Sequence, residues 1–217
     1  MRAILTNQTN FDQPWAESGL YDRLTPSADV LVMPIDSDEE WRMDAATYRE
    51  DLLRPLLHYG IHQEQIHILS AAELTKAKLE SSDIVVLSGD NPRFIDDCLQ
   101  DFACIEMLQN YQGIFLGIAG GAEVLMDTYR NICLDDREIY EGLGIVKGLT
   151  LFADYQQNRE TVRAIIDDLE QNGRSVLVMP QESAAVIDEG HLDLLGNSFL
   201  LQMSDLDDLY QLLDSMM

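Results

Sequence analysis

Basic residues are scarce in this chain of 217 residues. Aspartate and glutamate number 39 against 14 lysines and arginines, which gives a formal net charge of −25 at pH 7. A surface this acidic repels phosphate backbones and anionic lipid headgroups, so we expect neither nucleic acid nor a membrane as a partner. Such acidity is typical of a surface that keeps a protein soluble. A partner with a basic surface is the alternative interpretation.

Long apolar runs and a metal-binding cysteine pattern are also missing. No segment reaches the roughly 18 consecutive apolar residues of a membrane-spanning helix. Met1 leads directly into a strand-like pattern with no apolar signal region, so we expect a cytoplasmic protein. Cys98, Cys104 and Cys133 lack the spacing of zinc ligands, which predicts free thiols.

Histidine is rare, and its distribution limits the chemistry. His58, His62 and His67 lie close in sequence, but Gly60 predicts the end of a helix between the first two. They therefore do not converge as ligands, and we predict no metal site and no cofactor. Between His67 and His191 there is no histidine, so the middle of the chain offers none as a general base.

Short apolar strands alternate with amphipathic helices along most of the chain. This order predicts one α/β domain over residues 1–217, a three-layer sandwich with a mainly parallel central sheet and a short C-terminal antiparallel meander. Pro55 should kink or interrupt its helix. The oligomeric state stays open between monomer and homodimer. Predicted strands cover 2–7, 28–35, 65–69, 83–87, 112–118, 144–149 and 175–179, with 184–188, 191–195 and 198–203 in the meander; predicted helices cover 44–59, 94–110, 159–172 and 205–217.

Small residues concentrate at one turn in the middle of the chain. Residues 113–125 indicate a buried strand, a sharp turn and the start of a helix. Gly117, Gly120 and Gly121 let the backbone bend tightly there and approach its neighbours closely. This layout is typical of a nucleophile elbow, which exposes its central residue at the top of a sheet. That residue is Ala119, whose side chain has no nucleophilic atom.

Three further segments accompany the elbow. Residues 89–93 have the sequence Gly-Asp-Asn-Pro-Arg, residues 142–144 Gly-Leu-Gly, and residues 179–182 Met-Pro-Gln-Glu. In order and spacing they resemble the Gly-Gly-Asn-Thr-Phe, Gly-Leu-Gly and Leu-Pro-Glu segments of the peptidase E and cyanophycinase-like serine peptidases. Residues 117–122 likewise resemble that family's Gly-x-Ser-Ala-Gly-Ala elbow. The likeness spans nearly the whole chain and implies a fold similar to that of class I glutamine amidotransferases.

The resemblance also implies where the catalytic groups would stand. Ala119 takes the place of the serine nucleophile, and Asp154 takes the place of the histidine base. Asp135 or Asp136 matches the acidic partner of the histidine. The resemblance therefore implies that peptidase activity is lost and that a binding or regulatory protein remains, with a small molecule or peptide in a pocket at the elbow. The pocket residues that it implies are Gly89, Asp90, Asn91, Arg93, Gly120 and Gly121.

Alternatives remain for four side chains. Glu123 and Asp154 form a candidate carboxylate pair for a hydrolase with rearranged chemistry, because a site can raise the pKa of a carboxyl group until it acts as a base. Cys133 is a weaker substitute nucleophile, since it lies outside the elbow. Arg93 is suited to recognising a carboxylate or phosphate, and equally to pairing with one of the many acidic residues.

Overall fold

The computed structural model describes residues 2–35, 45–130, 138–153 and 155–216. The strands are β1 (Arg2–Thr6), β2 (Val30–Pro34), β3 (Ile66–Ile68), β4 (Ile84–Gly89), β5 (Ile114–Ala119), β6 (Thr128–Arg130), β7 (Ile139–Glu141), β8 (Leu149–Phe152), β9 (Ser175–Val178), β10 (Ser183–Asp188), β11 (His191–Gly196) and β12 (Phe199–Leu201). The helices are α1 (Pro14–Leu20), α2 (Ala45–His58), α3 (Lys76–Glu80), α4 (Pro92–Asp101), α5 (Ile105–Gln109), α6 (Gly120–Val124), α7 (Arg159–Asn172) and α8 (Leu206–Ser215).

Seven strands form the central sheet in the order β11-β10-β1-β5-β4-β2-β3. The five strands from β1 to β3 in that order run parallel, and β10 and β11 extend the sheet antiparallel at one edge. Alternate residues of β4 enter different cores: Val85 and Leu87 face one cluster, and Ile84 and Val86 the other. A parallel strand covered on both faces is apolar throughout for this reason. The predicted α/β class with a mainly parallel sheet is confirmed.

The two faces of this sheet are covered differently. Helices α1 and α2 contribute Leu20 and Leu52 to one core. On the other face, helices α4 and α6 pack together with a second sheet, β12-β9-β8, which contributes Leu151 and Leu177. Helices α7 and α8 cover the outer face of that second sheet, where Ile165 packs in a third cluster. This arrangement places α6, the helix that follows β5, against the end of β8.

The predicted three-stranded meander is only partly present. Strands β10 and β11 pair as a hairpin, but β12 leaves them and pairs antiparallel with β9 in the second sheet. Gly196 at φ +64° is the last residue of β11, and the Asn197 N–H still bonds the Glu182 carbonyl (3.0 Å) at the end of that hairpin, before Phe199 begins the strand that pairs with β9. The close spacing of the predicted strands therefore did not specify which strand β12 would pair with.

Three other local predictions need correction. The predicted strand 144–149 is mostly a loop, whose Leu143 and Ile145 N–H groups bond carbonyls at the end of α6 (2.8 and 3.0 Å) and thus satisfy its free acceptors. The predicted helix 94–110 is divided into α4 and α5, with Ala103 at φ +55° in the break. Of the two outcomes predicted for Pro55, an interruption of the helix is wrong: α2 continues through Pro55, because burial of the leucines around it offsets one lost hydrogen bond.

In the part of the chain that the structure describes, no helix is both long and apolar enough to cross a membrane.

Candidate functional site

The elbow has the strained backbone of a nucleophile-bearing turn. Strand β5 ends at Ala119, which has φ +52° and ψ −121°, and α6 begins at the next residue. A non-glycine residue in this region costs on the order of 1–3 kcal/mol and persists only where the surroundings impose it. The sequence could not specify whether a turn with alanine at its centre adopts this geometry, and the structure shows that it does.

Glycines at the elbow allow contacts that would be impossible for any larger residue. A Cβ atom on Gly121 would lie 2.1 Å from the Leu87 carbonyl oxygen, and one on Gly117 would lie 2.5 Å from the Cα of Ala122. The first turn of α6 is therefore pressed against the backbone of β4 and β5. These contacts hold the strain at Ala119, because the turn cannot relax without moving α6 away from the sheet.

The two turns that the resemblance paired are adjacent. Gly89, the last residue of β4, is the register partner of Ala119 across the parallel ladder. A Cβ atom on Gly120 would approach both the Gly89 carbonyl oxygen and the Pro92 nitrogen to 2.9 Å. Gly89, Gly120 and Gly121 thus meet at the carboxyl ends of neighbouring parallel strands, where open α/β sheets form their ligand crevices.

Asn91 and Asp90 follow β4 at this edge. The Asn91 side chain is the N-cap of α4: its Oδ1 accepts the Arg93 N–H (3.0 Å) and the Phe94 N–H (3.2 Å). The side chain of Asp90 is exposed. The cap fixes where α4 starts and therefore how the turn between β4 and α4 passes the elbow.

The guanidinium of Arg93 is engaged by neighbouring side chains. It lies 2.9 Å from an Asp97 carboxylate oxygen and 3.6 Å from one of Asp96, and 4.8 Å above the centre of the Tyr140 ring. These contacts favour the paired-arginine alternative over an arginine held ready for a ligand. Arg93 lies in the first turn of α4, directly after the turn that ends β4.

Asp96 is a buried acid that the sequence did not single out. Only 2% of its surface is exposed, and burial raises the pKa of its carboxyl group. Gln100 donates a hydrogen bond to it (2.8 Å), and the Tyr129 hydroxyl lies 3.4 Å away. Burial also raises the pKa of Tyr129, so its hydroxyl keeps its proton. No spacing rule marks such a residue, because its burial depends on how α4 packs against β6.

Glu123 is the candidate carboxylate that the structure places most clearly. It lies on α6 with 9% of its surface exposed, and its Oε1 accepts the Ala153 N–H at 3.3 Å. The chain just before residue 154 therefore contacts the helix that follows the elbow. Asp154 itself lies outside the described residues, as do Asp135, Asp136 and Cys133.

The remaining thiols and imidazoles lie apart from the elbow turn. Within the described residues, neither Cys98 nor Cys104 forms a disulfide, and burial raises the pKa of the Cys104 thiol. His58 Nε2 lies 3.1 Å from the carboxylate of Glu17 on α1. Within residues 2–35, 45–130, 138–153 and 155–216, no three or more His, Cys, Asp or Glu side chains are grouped to hold a metal ion.

Solved structures of two bacterial proteins share this architecture. A protein assigned as a peptidase E from Listeria monocytogenes EGD-e matches with a TM-score of 0.66 and 16% sequence identity, over 89% of this chain and 96% of its own. A peptidase from an acI-B1 Actinobacterium matches with a TM-score of 0.54 and 15% identity, over 93% of each chain. No protein-family model and no curated protein sequence matches the chain. At these identities the likeness shows a shared fold, and the predicted peptidase E-like fold is confirmed.

Proposed function

We propose that this protein is a peptidase E-like homologue that binds a peptide or small molecule at its elbow and does not cleave it by a serine mechanism. The fold supports a relationship to peptidases. The absence of a nucleophilic atom at residue 119 and of a histidine at residue 154 supports the loss of the serine chemistry.

One observation carries this proposal: the conformation of Ala119. Its φ of +52° is the strained geometry that presents a residue at an elbow, yet alanine presents only a methyl group. In a serine hydrolase, loss of the nucleophile or the base lowers turnover by about a million-fold. Such a loss does not remove the backbone N–H groups beside Gly89 and Gly120, which under this proposal bind a carbonyl or carboxylate oxygen.

The test is hydrolysis of a panel of Asp-Xaa dipeptides by the wild type and by the double variant Ala119→Ser, Asp154→His. We expect a silent wild type and measurable turnover in the double variant. Each single variant is the control, since a nucleophile without its base and a base without its nucleophile should both stay near background. Hydrolysis by the wild type that survives repurification and active-site titration would contradict the proposal.

A second candidate function follows from the position of Glu123. Its carboxylate is buried at the elbow helix and contacts the Ala153 N–H, one residue before Asp154. Burial disfavours the charged form of a carboxyl group, which suits such a group to act as a general base on water. A hydrolase with such rearranged chemistry would cleave small peptides without a covalent intermediate.

This candidate predicts activity in the wild type with a pH limb that belongs to a single carboxyl group. The limb should disappear in Glu123→Gln or in Asp154→Asn. Glu141→Gln changes an exposed glutamate on β7 in the same way and is the matched control. Survival of the limb in both elbow variants would remove these two residues from consideration.

A further inference from the structure

A groove lies between the second sheet and the C-terminal helix. It encloses about 560 Å³, and its walls include Tyr155 after β8, Phe199 on β12 and Leu209 on α8. This volume falls within the range of roughly 300–1,000 Å³ in which proteins bind small ligands. The lining of the groove does not include the elbow, so a ligand in the groove would bind independently of the function proposed above.

Aromatic rings and aliphatic side chains form most of the lining. Tyr155 and Phe199 meet edge to face, with ring centroids 5.9 Å apart, and Phe199 is 36% exposed. Leu201, Leu209 and Leu212 supply an apolar surface beside them. The face of an exposed aromatic ring attracts a cation by about 0.5–1 kcal/mol.

The charged groups that line the groove are acidic. Asp205 and Asp208 stand at the start of α8, and Asp205 also accepts the Gln202 N–H at 2.7 Å. With a net charge of −25, the whole molecule adds to the negative potential at this position. An anionic ligand would meet repulsion here, whereas a cation with an aliphatic stem would match both the leucines and the carboxylates.

We propose that this groove binds a short peptide segment with an arginine or lysine beside an apolar residue. The methylene stem of the basic side chain packs along Leu209 and Leu212, and its charged end reaches Asp208. The apolar neighbour covers Phe199. The partner is therefore a protein or peptide with an exposed basic segment, which fits a chain as acidic as this one.

The experiment titrates the blocked peptide acetyl-Arg-Leu-amide into protein with ¹³C-labelled leucine and alanine methyl groups. Methyl resonances of Leu209 and Leu212 report the groove, and the methyl group of Ala119 reports the elbow. We expect the leucine signals to shift. The peptide with neutral citrulline in place of arginine should bind about two- to fivefold more weakly, because it loses one exposed ion pair.

A pair of adjacent variants separates the groove from general electrostatics. Asp208→Asn should weaken binding of the arginine peptide about two- to fivefold. Asp207→Asn removes the same charge from the same helical turn outside the groove and should change affinity less than twofold.

Leucine methyl groups that stay unshifted at about 1 mM peptide would overturn the proposal. Equal effects of the two variants, or equal binding of the citrulline peptide, would overturn it as well. Shifts confined to Ala119 would overturn it while leaving binding at the elbow standing.

Discussion

The strain at the elbow predicts that replacing Ala119 by glycine makes the protein more stable. Glycine adopts φ +52° without a steric penalty, so the substitution removes a strain of about 1–3 kcal/mol. Two effects oppose this gain. The greater flexibility of the unfolded chain lowers the free energy of unfolding by about 0.4–1 kcal/mol. Removal of the half-buried methyl group lowers it by roughly half of the ~0.8 kcal/mol that a fully buried carbon contributes. The expected net result is a stabilisation of about 1 kcal/mol.

The same substitution three residues later provides the control. Ala122 lies inside α6 with none of its surface exposed, and its backbone is helical. Glycine there loses about 1 kcal/mol of helix propensity together with a fully buried methyl group, so we expect Ala122→Gly to destabilise by about 2 kcal/mol. The same substitution should therefore raise the free energy of unfolding at residue 119 and lower it at residue 122.

Reversible urea denaturation followed by circular dichroism measures both variants. For a chain of this size, the gain at Ala119 corresponds to a rise in Tm of about 2–4 °C. If Ala119→Gly destabilises the protein as much as Ala122→Gly does, the elbow is not strained in solution, and the conformation of Ala119 no longer supports the proposed function.

Two further predictions concern buried acids. Asp168→Leu breaks the buried ion pair in which the Arg130 guanidinium donates two hydrogen bonds to the carboxylate, and it should destabilise the protein by about 3–5 kcal/mol. Adding Arg130→Met should restore most of that loss in thermal denaturation. Burial raises the pKa of Asp96, so the folded state holds the proton of this carboxyl group more tightly than the unfolded chain does. The contribution of Asp96 to the stability of the protein therefore falls as the pH rises above the ordinary aspartate pKa of about 3.9. The free energy of unfolding of Asp96→Asn relative to wild type should therefore increase from about pH 4 to pH 7. For Asp97→Asn, the same difference from wild type should stay within about 0.5 kcal/mol. A difference for Asp96→Asn that does not change with pH would contradict a raised pKa at Asp96.

Local patterns in the sequence determined the order of the elements and the position of the elbow. The unbroken apolar run of β4 predicts a strand buried on both faces, and the small residues around Ala119 predict a turn between a strand and a helix. Helix α7 matches its predicted bounds because Asn158 caps it and Gly173 ends it at φ +60°. These features could be predicted because each depends on residues only a few positions apart.

Contacts between distant segments decided the rest. Ala119 is strained because Gly120 and Gly121 press on the backbone of β4 and on Pro92, about 30 residues earlier in the chain, and no local rule specifies that contact. Strand β12 pairs with β9 in the second sheet rather than with β11, and the sequence of β12 alone does not specify that partner. The meeting of Glu123 with Ala153 and the groove beneath α8 likewise arise only when separate elements pack together, because burial and proximity are properties of the folded chain.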